Sequence, residues 1–438
     1  MNPVDAADTQ QATQGKASAA YRRLLAASAF GTVIEQYDFF AYALIAPLVF
    51  DVLFFPRKDP FVSLIMVYAT FAVGFVARPI GGIIFGHFSD RIGRKSVLMM
   101  TLLLMGFAST LIGLVPSYGT MGLAAPLILI LLRIIQGLAL GGEYVGAVVL
   151  IIENAPTKNR GFFASFPNAA GPVGIICASG LSTFLMATCG KAAFQAWGWR
   201  IPFLLSFILV VIGAYMRSHI DESLLFNAAV KEQKIRRLPF VEVFKSWKKS
   251  MLWAFLVNLV HSSYNYLSTI FLMAYAIKTL AMPQAGVASG YTIGNVFELF
   301  TVLIIAHFSD RFGRKPFLVI GIICTAIYFP ILVHVMLMKN VLYFIVALVF
   351  SIGFMHALIF APEASFIAEQ FPTEVRVTGA SVGKQLGVVL GGGIAPLVAT
   401  SLMGHGSSFL SVLWYFWIMA FFALAGVLLA RESSKVTL

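Results

Sequence analysis

A chain of 438 residues that is 59% hydrophobic and only 11% charged, with a mean hydropathy of +0.87, cannot cover a water-exposed surface with the charges it carries. Soluble domains use about 25% charged residues, so most of this chain is expected in lipid. The net charge of +12 then reports membrane topology and anionic lipid rather than a nucleic-acid partner, since no basic patch is interleaved with aromatics on a soluble domain.

Residues 1–20 are small and polar and read as a disordered cytoplasmic tail, with no cleavable signal before the first apolar run. Runs long enough for a bilayer core, which takes about 20 residues per helix, then recur. They fall at 24–50, 61–86, 96–115, 122–152, 163–188, 200–216, 251–277, 286–306, 317–337, 341–369, 377–403 and 408–430. This predicts an all-α membrane protein of twelve transmembrane helices in two six-helix repeats. An N-terminal bundle (21–216) and a C-terminal bundle (251–430) flank a charged cytoplasmic loop (217–250), and a short cytoplasmic tail (431–438) follows. With the N-terminus inside, inner segments hold 22 of the 31 Lys and Arg, outer loops hold 6, and Arg78, Arg133 and Lys384 lie within spans. That asymmetry follows the positive-inside rule. Cys177, Cys189 and Cys324 lack metal-ligand spacing and read as packing residues, so no metal or cofactor is expected.

Charge inside a span costs several kcal/mol unless paired or hydrated, which singles out the exceptions. The first span holds Glu35 and Asp38 one turn apart, with Tyr42 a further turn along. At 1.5 Å per residue Asp38 stands about 21 Å from the inner end, and Arg133 about 17 Å from the outer start of the fourth helix. The two therefore fall within a turn or two of each other in depth, and an acid–arginine pair in a low dielectric can couple a proton to an anion. Glu35 and Asp38 are equal candidates for the proton site. A second layer, Arg78, Glu143, Glu298, Glu363 and Lys384, stands about 9–14 Å above the inner helix ends. Lys384 either adds cationic charge to a cavity or neutralises Glu363 or Glu298. Asn168, His261, Tyr264 and Asn265 are polar groups in apolar spans, and His356 is a proton relay or a packing residue.

Two echoes relate the halves. "GHFSDRIGRK" (86–95) returns as "AHFSDRFGRK" (306–315), and "ENAPTKNRGFFAS" (153–165) as "EQFPTEVRVTGAS" (369–381). Repeats about an axis along the membrane normal, with substrate held between them, are a transporter device. Gly86 and Gly93 permit a tight path between the second and third helices, and the glycine pairs at 81–82 and 391–393 permit close helix contact.

The pattern G-x-x-x-D-R-x-G-R-K with "LLRIIQG" (131–137) resembles the major facilitator superfamily over essentially the whole chain. "IEQYDFFAY" (34–42), "FVARPIGGIIFGHFSDRIGRK" (75–95), "RIIQGLALGGEY" (133–144), "WGWRIPF" (197–203) and "FPTEVRVTGASVGKQLGVVLGGGIAP" (371–396) are similar to its metabolite:proton symporters, which include shikimate, 2-oxoglutarate, citrate and proline/betaine porters. The resemblance implies an inner latch. Asp90, Arg91 and Arg94 would meet Glu153 and Arg160, while Asp310, Arg311 and Arg314 would meet Glu369 and Arg376. It implies proton coupling at Asp38 or Glu35, and substrate contact at Arg78 and Arg133. It also implies a cavity lined by helices 1, 4, 7 and 10, reached by Tyr42, His261, Tyr264 and Asn265, with Asn168 and Lys384 nearby. Lys384 departs from the family pattern, where a tyrosine commonly precedes the glutamine.

The function expected is proton-coupled uptake of a small carboxylate by a monomer in the bacterial inner membrane, both termini cytoplasmic. Membrane lipid, the proton and the substrate are its only expected partners. A zwitterion such as betaine or proline is the first alternative, although the resembling betaine porters carry a long extension where this chain stops eight residues after the last span. A drug/proton antiporter is the second. No H-E-x-x-H, G-x-S-x-G or P-loop pattern supports an enzyme, and paired gates suit alternating access better than a channel.

Overall fold

The structure is a computed structural model and describes residues 3–55, 60–232, 239–404, 408–432 and 434. Twelve membrane-length helices follow one another among the described residues. In the first half they are α1 (Pro3–Ile45), α2 (Pro60–Ile92), α3 (Arg94–Leu114), α4 (Ala124–Asn154), α5 (Phe166–Ala193) and α6 (Arg200–Ser218). In the second they are α7 (Lys248–Tyr266), α8 (Gln284–Phe312), α9 (Arg314–Leu337), α10 (Val341–Phe350 and Ala357–Glu369), α11 (Arg376–Gly387) and α12 (Phe409–Leu429). Single π-helical turns extend α1 (Ala46–Phe50), α7 (Leu267–Phe271) and α11 (Val388–Gly393) and interrupt α10 (Ser351–His356). Beyond those turns α7 continues as Leu272–Lys278 and α11 as Ala395–Gly404, and the helical turn Arg160–Ala164 leads into α5.

Among the described residues, ten spans are apolar enough for a bilayer by composition. The exceptions, α1 and α7, open their halves. Glu35, Gln36 and Asp38 dilute α1, and Asn258, His261 and the Ser262–Asn265 run dilute α7. Large apolar side chains such as Val76, Phe107, Phe300, Ile327 and Phe421 point outward, as lipid permits.

Two sequence expectations need correction here. Residues 3–20 are not a disordered tail but the start of α1, in keeping with their alanine and glutamine content. Nor is the repeated decapeptide a loop. Each copy is a helix end, one glycine at φ 107° (Gly93) or 103° (Gly313), and the next helix start. Gly86 lies inside α2, where a Cβ would stand 2.8 Å from the Thr378 backbone, so it serves contact with α11 instead of a turn. The central segment forms two short helices, Leu224–Lys231 and Pro239–Ser246, and its residues 233–238 lie outside those described.

Within the first half α1 packs on α5, α2 on α4, and α3 on α4 and α6. Within the second, α7 packs on α11 and α12, and α8 on α10. Across the seam α2 meets α11, α5 meets α8, and α4 meets α10. The pseudo-symmetric pairs α2–α11 and α5–α8 place the charged helix ends of one half against those of the other.

Candidate functional site

Asp38 is buried at 2% exposure and tied into the first half. Ser109 Oγ donates to its Oδ2 at 2.6 Å and Ser206 Oγ to its Oδ1 at 2.5 Å. Gln136 Nε2 donates to Ser109 Oγ at 2.6 Å, and Arg133 Nη1 donates to Gln136 Oε1 at 2.8 Å. The expected direct Asp38–Arg133 pair is thus a relay through Ser109 and Gln136, because Asp38 faces α3 and α6 while Arg133 turns onto α1. The Arg133 guanidinium lies 3.9 Å over the Tyr42 ring, whose hydroxyl meets Thr70 Oγ1 at 2.5 Å. Tyr42 is fully buried and serves as a platform under Arg133. The relay is directional. Ser109 spends its single O–H on an ionised Asp38 and so accepts from Gln136, and a protonated Asp38 must reverse one of the two serine bonds.

At mid-depth, where α1, α2, α7 and α11 meet, Phe39, Phe75 and Val388 form a buried cluster with Phe40 and Tyr266. Arg78 sits half-buried against it, its guanidinium 4.5 Å from the Phe75 ring and 5.2 Å from Phe39. Its Nε is buried without a hydrogen-bond partner, and among the described residues Arg78 makes no ion pair. Glu35 Oε2 is likewise buried without a partner, with Glu143, Arg78, Lys384 and Arg217 as charged neighbours. Glu143 is held by Arg217 Nη2 at 2.6 Å. Sequence reasoning missed Arg217, since the first residue of the charged central segment reads as loop; it is the last-turn arginine of α6, turned inward.

The second half carries a chain of titratable groups. Lys384 Nζ stands 3.3 Å from Glu363 Oε1 and 4.0 Å from the centre of the Tyr144 ring. Asn258 also donates to Glu363 Oε1. His261 Nδ1 lies 2.8 Å from Glu363 Oε2, and its Nε2 lies 2.8 Å from His356 Nε2. His356 Nδ1 meets Glu298. Of the two readings of Lys384, the structure supports neutralisation of Glu363. His261 is engaged in this chain rather than open for substrate. Tyr264 is fully buried in the second-half core, bonded to Ser351 Oγ at 2.7 Å beside Phe329 and Phe416, so it faces away from the seam. Asn265 is half-buried, and its carbonyl accepts from Thr269. Asn168 accepts from Tyr144 and donates to the Phe360 carbonyl at 2.8 Å, fastening α5 to α10.

The charged face is a two-fold lock. Asp90 accepts from Thr378 N at 2.9 Å, Thr378 Oγ1 at 2.7 Å and Val377 N at 3.3 Å, capping α11. Asp310 accepts from Gly161 N at 2.8 Å and Phe162 N at 2.7 Å at the start of the α5 segment. A carboxylate at a helix N-terminus satisfies orphan amides and meets the positive end of the dipole. Arg94 reaches Glu153 at 3.2 Å and the Thr373 carbonyl at 2.8 Å, and Arg376 reaches Glu153 at 2.7 Å. Arg314 pairs with Asp310 at 2.6 Å and Glu369 at 3.1 Å. Arg160 lies among the charges of Glu369, Arg314, Arg376 and Asp310.

The partners expected within each half are therefore partly exchanged: Arg376 crosses to Glu153, and Arg160 joins the second copy. Arg91 and Arg311 are exposed and stand outside both networks, because the helix turn points them away from the seam. Two acids were missed. Glu222 accepts from Arg94 N and Lys95 N, both at 3.0 Å, and Glu432 accepts from Arg314 N at 3.0 Å and Lys315 N at 2.9 Å. Their signal was a Glu-Ser pair (222–223 and 432–433) just beyond the last helix of each half. Burial alone would push the Glu432 carboxyl up, but the Ser434, Arg314 and Lys315 amides outweigh it and hold it below the ordinary glutamate value. The hydrogen bonds that tie the halves together among the described residues lie at this face or at mid-depth, so the molecule is closed on its charged side.

The sequence profile of the Major Facilitator Superfamily matches residues 28–383 and 265–435. The chain is 36% identical over 424 residues to an inner membrane metabolite transport protein of Escherichia coli K12, covering 95% of both chains. It is 33% identical over 417 residues to the shikimate transporter of the same organism, covering 94% of this chain and 93% of that one. To a glycine betaine/proline/ectoine/pipecolic acid transporter of Dickeya dadantii it is 32% identical over 429 residues, covering 94% and 84%. In fold it superposes on a proton:xylose symporter bound to 6-bromo-6-deoxy-D-glucose with a TM-score of 0.76 at 17% identity, covering 96% and 98%.

Proposed function

This chain belongs to the major facilitator superfamily, and from that membership we propose that it is a proton-coupled symporter taking up a small anionic carboxylate by alternating access. It is a multi-pass membrane transporter of metabolites and not an enzyme. The observation that carries the carboxylate reading is Arg78, a half-buried guanidinium without an acid partner at the junction of the two halves. Such a group presents a planar fork suited to a carboxylate. The relative named for shikimate agrees with an anion. Asp38 is the proton site in this reading. Its charge reaches Arg133 through Ser109 and Gln136, so protonation loosens the relay while substrate is bound.

The distribution of Lys and Arg supports a charged face in the cytoplasm. On that reading the closed charged side is the cytoplasmic gate, and uptake requires the Asp90 and Asp310 caps to release.

One observation favours a zwitterion instead. Glu35 carries a buried, unpartnered oxygen near Arg78, and the cationic end of a zwitterion would offset its charge. The deciding experiment is thermal stability of the purified protein with shikimate, with its amide, and with glycine betaine. A ligand that binds only the folded state at 100 times its Kd adds about 2.7 kcal/mol. Stabilisation by the acid and not by the amide is expected. Stabilisation by betaine alone would replace the carboxylate reading with the zwitterion one.

A further inference from the structure

The chain Glu298–His356–His261–Glu363 is used by neither the Arg78 seat nor the Asp38 relay. Its members come from three helices: His261 from α7, Glu298 from α8, and His356 and Glu363 from α10. All four are buried, at 4%, 5%, 7% and 0% exposure for Glu298, His356, His261 and Glu363. A π-helical turn of α10, Ser351–His356, ends on His356, and such turns recur at functional positions.

Proton counting decides what this chain holds. It has three consecutive contacts: Glu298 to His356 Nδ1, His356 Nε2 to His261 Nε2, and His261 Nδ1 to Glu363 Oε2. The first two are hydrogen bonds and take one proton each. The last is at ion-pair distance with a bent geometry, yet at 2.8 Å two bare lone pairs would still repel. Two neutral imidazoles bring only two protons. The third contact requires one more, and the charges around the group place it on the imidazole pair.

Charge gives the same count. Glu298 and Glu363 bring two negative charges, and Lys384, 3.3 Å from Glu363, brings one positive. One additional proton on the imidazole pair makes the buried group neutral, which a low dielectric favours. The other groups facing it are Asn258 on Glu363, Tyr144 beneath Lys384, and the Phe360 ring stacked on both imidazoles. None of these is charged, and Glu35, the further acid that feels Lys384, has Arg78 and Arg217 as cationic neighbours of its own.

We propose that Glu298, His356, His261 and Glu363 form a second proton-binding site, separate from Asp38, that holds one proton in this conformation. Phe360 links the site to the seam, since its carbonyl is the acceptor by which Asn168 of α5 ties the halves together. Loss of the proton leaves one of the three contacts repulsive and loosens α10 against α7 or α8, and with it that tie. The use of the proton in transport rests on the symport reading above; the proton itself does not.

The test is nitrogen-15 magnetic resonance of the full chain, labelled at histidine and held in lipid nanodiscs at pH 7.5, without substrate. His261→Gln and His356→Gln assign the two rings by difference among the seven histidines, and either one suffices. Three protonated ring nitrogens out of four are expected in the unsubstituted protein and in Asp38→Asn, falling to two in Glu298→Gln. A count of two in the unsubstituted protein, or an unchanged count in Glu298→Gln, overturns the proposal. Three protonated nitrogens in a protein that binds no carboxylate or betaine would leave this site standing and remove the symport reading instead.

Discussion

Arg78 and Lys384 are both cations at mid-depth, but of the two only Lys384 forms an ion pair among the described residues. In sequence the two look alike. What separates them is that Lys384 stands 3.3 Å from Glu363 of the neighbouring α10, while the Arg78 guanidinium lies against the Phe39 and Phe75 rings with Glu35 nearby but unpaired. Arg78→Lys is expected to weaken carboxylate binding while leaving the fold intact, because an ammonium cannot reproduce the fork. Charged hydrogen bonds contribute roughly 1.5–3 kcal/mol each, so a loss of that size in binding calorimetry is the expected result. Equal affinity for acid and amide in the unsubstituted protein would contradict the role. Gly93 gives a second residue-scale prediction. Its backbone is at φ 107°, ψ 155°, and a Cβ there would collide with the Glu222 carboxylate. Such a backbone costs a non-glycine residue about 1–3 kcal/mol. Gly93→Ala should lower the melting temperature more than Gly313→Ala, whose Cβ would stand 2.9 Å from Glu432. Tyr42 and Tyr264 show what the residue scale hides. An intramembrane hydroxyl reads the same whether it faces a cavity or meets Thr70 or Ser351 in a core.

The helix ends at the charged face were legible as repeated motifs, and their partners only in part. The decapeptides name Asp90 and Asp310 but not the amides they cap, because a cap depends on which helix start the fold brings across the seam. The same limit concealed Glu222 and Glu432, which lie outside the repeated stretches. Asp90→Asn weakens the cap on α11 and leaves the buried Arg94 with one acid fewer, so the charged face should open more readily. Removing an N-cap costs about 0.5–2 kcal/mol. Cysteines placed at the inner seam should label faster in Asp90→Asn, and to a lesser degree in Asp310→Asn; unchanged labelling in both would contradict the lock. Glu432 predicts a pH effect at one helix start. Its folded value lies below the unfolded one, so its stabilisation of α9 is present above the ordinary glutamate value and lost as pH falls through the folded one. Because the group is partly solvated, the effect is small. The acid limb of the melting curve should flatten in Glu432→Gln and stay unchanged if the cap contributes nothing.

At the scale of the whole molecule, the two-fold plan was readable because lipid simplifies the code. Apolar runs mark the spans, basic residues mark one face, and a repeat of 220 residues marks the halves. The two least apolar spans among the described residues, α1 and α7, are diluted by Glu35, Asp38, Asn258 and His261, residues of the proposed proton sites and their surroundings. What the sequence left open was connectivity across the seam: Asp38 and Arg133 share a depth, yet they communicate through Ser109 and Gln136 rather than by contact. That relay makes the coupling testable. Asp38→Asn mimics the protonated acid, so it should keep substrate exchange between the two sides while losing uphill accumulation. Substrate and proton bind with positive coupling in this account, and linkage makes that coupling reciprocal. The most direct measurement is uptake into proteoliposomes with and without an inward proton gradient, using the carboxylate that stabilises the purified protein, beside counterflow exchange. The account predicts gradient-driven accumulation by the unsubstituted protein, none without the gradient, and exchange without accumulation in Asp38→Asn. Accumulation by Asp38→Asn equal to that of the unsubstituted protein would contradict it.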